Sequence, residues 1–210
     1  MKWNDEYWPL LIRLYKRKPE GVKAVYSHDL TDIALHLHIH PLELHRKMME
    51  LRHPEAPFLK HLVEEYQNPK KLNKAVKTIM EKEGYGTAGR YYDEVDTNES
   101  WELDFRPLEE RADIMPVQLI IILDQYFRLT PTTMVAQTEE IQELAKLMKM
   151  PATLIAQIME IFQFCDPYLN RGDIMIDPLL FPCQNVWNRY GNGNSEKLAA
   201  LAAQMKEYFR

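Results

Sequence analysis

Asp32–Arg52, DIALHLHIHPLELHRKMMELR, decides the fold. Ile33, Ala34 and Leu37 recur at the spacing of one helical face, and after a break Leu44, Met48 and Leu51 do so again. Pro41 has no amide hydrogen and clashes inside a helix, but it is well suited to open one. The stretch is therefore two short helices joined by a tight break. Glu143–Phe162, ELAKLMKMPATLIAQIMEIF, has the same construction, with Leu144, Ala145 and Met148 before the break and Ile155 and Ile158 after it.

Working outward, the resemblance between the two halves extends beyond these helices. The aromatic-rich YWPLLIRLYKRKP has its counterpart in IIILDQYFRLTP, where Leu11, Leu14, Tyr15 and Pro19 match Leu123, Tyr126, Phe127 and Pro131. Leu30, Ile33, Ala34 and Leu37 match Ile141, Leu144, Ala145 and Met148, and Pro41, Leu44, Met48, Glu50 and Leu51 match Pro151, Leu154, Ile158, Glu160 and Ile161. Tyr66 and Leu72 pair with Tyr190 and Leu198 after an insertion in the second half. Self-similarity in the same element order is the mark of an internal duplication. The expected fold class is all-α: two tandem, diverged helical units packed as one compact protein. The units span residues 1–85 and 114–210, with an insertion at 163–183 in the second and an acidic connector at 86–113 between them. Asp29 and Thr138 stand where helix N-caps are expected.

Charge is distributed unevenly. Residues 1–85 carry 15 Lys and Arg against 12 Asp and Glu, residues 86–113 carry 3 against 9, and residues 114–210 carry 8 against 10. All seven histidines fall between His28 and His61. An anionic partner is thus expected to meet the first unit, if either. The amino-terminal residues lack the pattern of a secretory leader, and no stretch approaches a membrane span. Two cysteines, Cys165 and Cys183, without CxxC spacing suit a reducing compartment. A cytoplasmic location is expected.

In the connector, Trp101, Leu103 and Phe105 alternate with Glu102 and Asp104, which predicts a short extended segment with a buried aromatic face. Glu94, Asp96, Glu99, Glu102 and Asp104 read as a solvated acidic surface, able to mask the basic first half.

The two helix pairs resemble the helix-turn-helix of bacterial transcription regulators and sigma-factor-like domains, with Ala34 and Ala145 at the position packed under the second helix. The resemblance implies a recognition helix in each half. At the turn position usually given to glycine stand His38 and Lys149, so a left-handed turn there is expected to be strained. For nucleic acid, the first unit offers His45, Arg46, Lys47 and Arg52 on helix 41–52, with Lys16, Arg17 and Lys18 nearby. The second offers only Thr153 and Gln157 among apolar residues. NESWELDFRPLEE, YFRLTP, FCDPYLNRGD and NRYGNGN are similar to stretches of a conserved family of Bacteroides-type bacteria that is uncharacterised, and this resemblance implies no activity.

His36, His40 and His45 are the candidate metal ligands, since His36 and His40 are four apart. Pro41 disfavours the helical conformation at His40 that this geometry requires. GxxxxGK[ST], GxSxG and HExxH do not occur, so no catalytic residue and no cofactor are expected. Arg171, Gly172 and Asp173 form an RGD in the insertion. The leading expectation is a non-catalytic binding or adaptor protein with a protein partner. The alternative is a DNA-binding, regulator-like protein using helix 41–52, and an enzyme of unknown type comes third.

Overall fold

The computed structural model describes residues 3–82, 100–169, 171–172 and 175–210. Among them are eleven α-helices, three short 3-10 segments and no strand. No helix of the described residues is long and apolar enough to cross a membrane. The chain divides into two compact units, Met1–Glu102 and Leu103–Arg210.

The first unit contains α1 (Trp8–Tyr15), α2 (His28–Leu37), α3 (Pro41–Glu50), α4 (Pro57–Glu65) and α5 (Pro69–Met80). Proline opens α1, α3, α4 and α5, where a missing amide hydrogen costs nothing. Asn68 supplies the cap of α5, its side chain accepting from the Lys70 amide at 3.0 Å. α1 is the core helix: Leu10, Leu11, Ile12 and Leu14 are buried, and it packs against α2, α3 and α5. Leu30, Ala34 and Leu37 of α2, Ile39 of the turn, and Leu44 and Met48 of α3 are all fully enclosed. Ser27 is the N-cap of α2, and Asp29 lies inside the first turn, ion-paired with Arg17 at 2.8 Å. That corrects the expected cap by two residues. Ser100–Asp104 forms the short helix α6.

The second unit contains α7 (Pro116–Tyr126), α8 (Glu139–Met148), α9 (Ala152–Cys165), α10 (Leu180–Tyr190) and α11 (Ser195–Met205). Every residue from Val117 to Tyr126 is buried, so α7 has no solvent face and is wrapped by α9, α10 and α11. Its buried Asp124 is held by Arg128 one turn on, at 3.0 Å. Trp187 of α10 packs edge-on to Tyr126 at 5.8 Å and tilted to Phe162 at 6.3 Å. Thr138 is the N-cap of α8, as expected, but its hydroxyl donates to the Thr133 carbonyl at 2.6 Å. Asn194 caps α11, accepting from the Lys197 amide at 3.0 Å.

The two units share three helix pairings in the same order: first with third, second with third, and first with fifth. Both turns have the same backbone. His38 has φ 52° and ψ 37°, and Lys149 has φ 53° and ψ 42°. The amides of Ile39 and Met150 each donate to the carbonyl of the preceding alanine, Ala34 or Ala145, at 3.1 Å. Both turns are left-handed without glycine, at a cost of about 1–2 kcal/mol each. Counted from their caps, the third helices align one residue on from the expected matches. Their N-caps are His40 and Pro151, which places buried Leu44 opposite buried Ile155 and buried Met48 opposite buried Met159. Of the expected matches, Leu154 is only partly buried, while Ile158 and Ile161 are fully enclosed.

The expected extended segment at Trp101–Phe105 is instead helical through α6. Trp101 and Phe105 are one helical turn apart and both buried, while Leu103 points outward at 45% exposure. Alternation of aromatic and acidic residues indicates a strand only if the acids face water, whereas Glu102 and Asp104 are 1% and 2% exposed. Each has a cationic or imidazole partner. Asp104 is held by Arg189 through two contacts of 2.6 and 2.8 Å. Burial pushes the Asp104 carboxyl up from its ordinary value, against the opposing pull of Arg189. Glu94, Asp96 and Glu99 lie outside the described residues.

Candidate functional site

In the first unit the α2–α3 pair brings histidines, cations and exposed apolar residues together. α2 ends where His38 turns left-handed, and the chain re-enters helix at Pro41 after His40 adopts φ −55° and ψ 133°. His40 is extended, as a residue before proline must be, so His36 and His40 do not share a helical face. Each candidate metal ligand has a local duty. His36 donates Nδ1–H to the Asp32 carbonyl at 2.7 Å, His40 Nδ1 accepts from the Leu42 amide at 3.1 Å, and His45 donates to the Lys23 carbonyl at 2.9 Å. Among the described residues no group of three or more His, Cys, Asp or Glu is placed to hold a metal ion.

The candidate phosphate-contacting cations separate into two sets. Lys16 donates to the Tyr66 carbonyl at 2.7 Å, Arg17 pairs with Asp29, and Lys47 pairs with Glu50 at 2.9 Å while lying 5.8 Å from the Trp3 and Trp8 rings. Lys16 and Arg17 are themselves exposed, and Lys47 and Glu50 belong to one helix, so these contacts hold the unit together only weakly. Lys18, Arg46 and Arg52 are exposed. On α3 the outward face also carries Leu42 at 40% and Met49 at 43% exposure, two helical turns apart, with exposed Glu50 beside them. This is a mixed apolar and charged stripe. A surface built for a polyanion is more uniformly basic.

The turn itself is covered. Glu102 brings its carboxylate to His38 Nδ1 at 3.0 and 3.1 Å, and both side chains are almost wholly enclosed at 1% and 2% exposure. Next to it, the Trp101 ring packs on the His40 ring at 5.5 Å, and Tyr26 meets the same imidazole at 6.4 Å. Trp101 belongs to the hydrophobic core of the first unit. Residues read from sequence as connector surface thus close over the turn.

In the second unit the equivalent face of α9 borders a groove of about 520 Å³ lined by Thr153, Gln157, Glu160 and Val135. Gln157 donates to Asp177 at 2.7 Å, and Arg171 is drawn to Gln163 and lies 5.0 Å over the Phe164 ring. Arg171 therefore faces its own unit, and Asp173 of the RGD lies outside the described residues. Cys165 and Cys183 are unlinked. Burial pushes the Cys165 thiol up to about 11 and the Cys183 thiol further still, so neither is an activated nucleophile.

Comparison with protein-family models, with curated proteins and with solved structures finds no match to this chain.

Proposed function

We propose that this is a non-catalytic binding protein of the cytoplasm, and that its working surface is the outward face of α3 in the first unit, taking a helix of another protein. The observation that carries this is the stripe formed by Leu42 and Met49, exposed two turns apart on a helix whose other apolar residues are enclosed. Apolar anchors at that spacing, with Arg46 between them and Glu50 beside them, suit an amphipathic helix laid along α3. Three of the basic residues that a polyanion would require, Lys16, Arg17 and Lys47, are engaged within the unit. We also read the two units as diverged copies of one ancestor. Their shared helix pairings and matching left-handed turns support this, with the second copy having lost an open recognition face. A photo-crosslinking residue placed at position 42 or 49 in cells should yield one discrete protein adduct, abolished by Asp at the other position. Absence of any adduct from either position would remove this reading.

A second reading is supported by the turn geometry. A helix pair joined through a left-handed residue, with Arg46 and Arg52 exposed on and just after the second helix, suits contact with duplex DNA. Fluorescence anisotropy with mixed-sequence duplex at low and at physiological salt separates the two readings. Steeply salt-dependent binding lost on Arg46→Glu favours nucleic acid.

A further inference from the structure

In helix-turn-helix recognition, the N-terminal end of the second helix is the part that enters the groove and meets base edges. In the first unit that end is α3 from Pro41, preceded by His38 and His40. Both histidines are engaged by two consecutive residues, with the Trp101 indole on the His40 ring and the Glu102 carboxylate on His38 Nδ1. We propose that Trp101 and Glu102 form an internal plug that closes this helix-turn-helix to nucleic acid, so that the chain carries its own competitor for the site. This rests on the second of the two readings above.

Three features make the pair a plug in physical terms. Glu102 places a negative charge at the turn, where an approaching phosphate backbone would place its own, so the two exclude each other electrostatically as well as sterically. The carboxylate is enclosed, and burying a charge is costly unless it is hydrogen-bonded, so its position is fixed by His38 and not by chance collapse onto the surface. Trp101 adds apolar burial beside the charge, which holds the carboxylate in register. The exposed cations Arg46 and Arg52 lie further along α3 and beyond its end, and neither forms an ion pair among the described residues. Removing the plug would therefore open the turn and the N-terminal end of α3 beside these cations.

The test is anisotropy of the full chain with a mixed-sequence duplex at low salt, comparing wild type with Glu102→Ala and with His38→Gly. Glycine suits the left-handed turn while deleting the imidazole that seats Glu102. It frees the carboxylate to leave its enclosed site without straining the turn backbone, at the cost of stranding that carboxylate without its partner. Glu55→Ala, at an exposed acid of the same unit, controls for the change in net charge. Each plug variant should bind about tenfold more tightly than wild type, the gain should vanish on adding Arg46→Glu, and Glu55→Ala should stay near wild type. Equal binding by wild type and plug variants, lost on Arg46→Glu, would uphold nucleic-acid binding and overturn the plug. A gain of the same size from Glu55→Ala would overturn it too. No binding by any of the proteins would remove both ideas. Circular dichroism establishes that each variant is folded. Glu102→Gln, which removes the charge but keeps a hydrogen bond to the imidazole, decides the question if the other two are unfolded. It should also bind more tightly than wild type, and binding equal to wild type would overturn the plug.

Discussion

His38 and Glu102 are separated by 64 residues of chain, yet the imidazole of one and the carboxylate of the other meet at 3.0 Å in a site closed to solvent. The contact joins a left-handed turn to a helix that begins only after a long intervening stretch. Removing one partner of a buried pair leaves the other desolvated, and such truncations cost about 3–5 kcal/mol. Glu102→Ala should lose stability on that scale, and Glu102→Gln about 1 kcal/mol, because the amide can still hydrogen-bond. Urea denaturation of the two variants checks the order. A Glu102→Ala midpoint equal to wild type would contradict the enclosed pair.

Lys149 holds the same left-handed conformation as His38, but its side chain is exposed. The turn therefore bears the steric cost of a Cβ without any compensating contact from a buried imidazole. Lys149→Gly should stabilise the second unit by about 0.5–1 kcal/mol, after the extra chain entropy that glycine gives the unfolded state is counted. Lys149→Ile should destabilise it, since β-branching worsens the same clash. Paired urea titrations read both effects, and a destabilised glycine variant would show that the lysine side chain contributes something else.

Gly191 ends α10 against Trp187. A Cβ built there falls 2.6 Å from the Trp187 ring, closer than packed atoms approach, and that ring is wedged among Tyr126, Phe127 and Phe162. Gly191→Ala should cost about 1–3 kcal/mol through displacement of the indole. It should also weaken the near-ultraviolet dichroism of the aromatic cluster. An unchanged signal and midpoint would mean that the ring moves aside freely.

The cysteines make a prediction of the opposite kind, namely inertness. With its thiol pushed up to about 11, Cys165 at pH 8 has on the order of a thousandth of its population as thiolate. Cys183 is fully enclosed. Iodoacetamide should alkylate both slowly in the native protein and at ordinary rates in urea. Rapid native labelling of Cys165, followed by peptide mass, would show that the C-terminal end of α9 opens.

Much of the helical architecture is legible in the sequence because apolar spacing and proline punctuation are local signals. Ile33, Ala34 and Leu37 announce α2, and Pro41 announces the start of α3, without any knowledge of what packs on them. The left-handed turns are harder to read, since His38 and Lys149 argue against that conformation on intrinsic preference. They adopt it because the alanine carbonyls behind them and the helices on either side leave no alternative. Least legible is the closure of the first turn. An acidic residue in an acidic run reads as solvent-facing, and only the fold brings Glu102 to an imidazole and Asp104 to Arg189. Three basic residues that look available for a partner, Lys16, Arg17 and Lys47, are engaged for the same reason: their partners are remote or on another turn.

α7 has consequences for how the second unit comes apart. A helix with no face toward water cannot be left standing when a neighbour departs, because every wrapping helix covers a different side of it. Detaching α9, α10 or α11 exposes part of Val117–Tyr126 at once, with Asp124 drawn into the disturbance through Arg128. Partial opening is therefore nearly as unfavourable as complete opening. The amide protons of Ile120, Ile121 and Ile122 should exchange together, with a single protection factor that matches global unfolding of that unit.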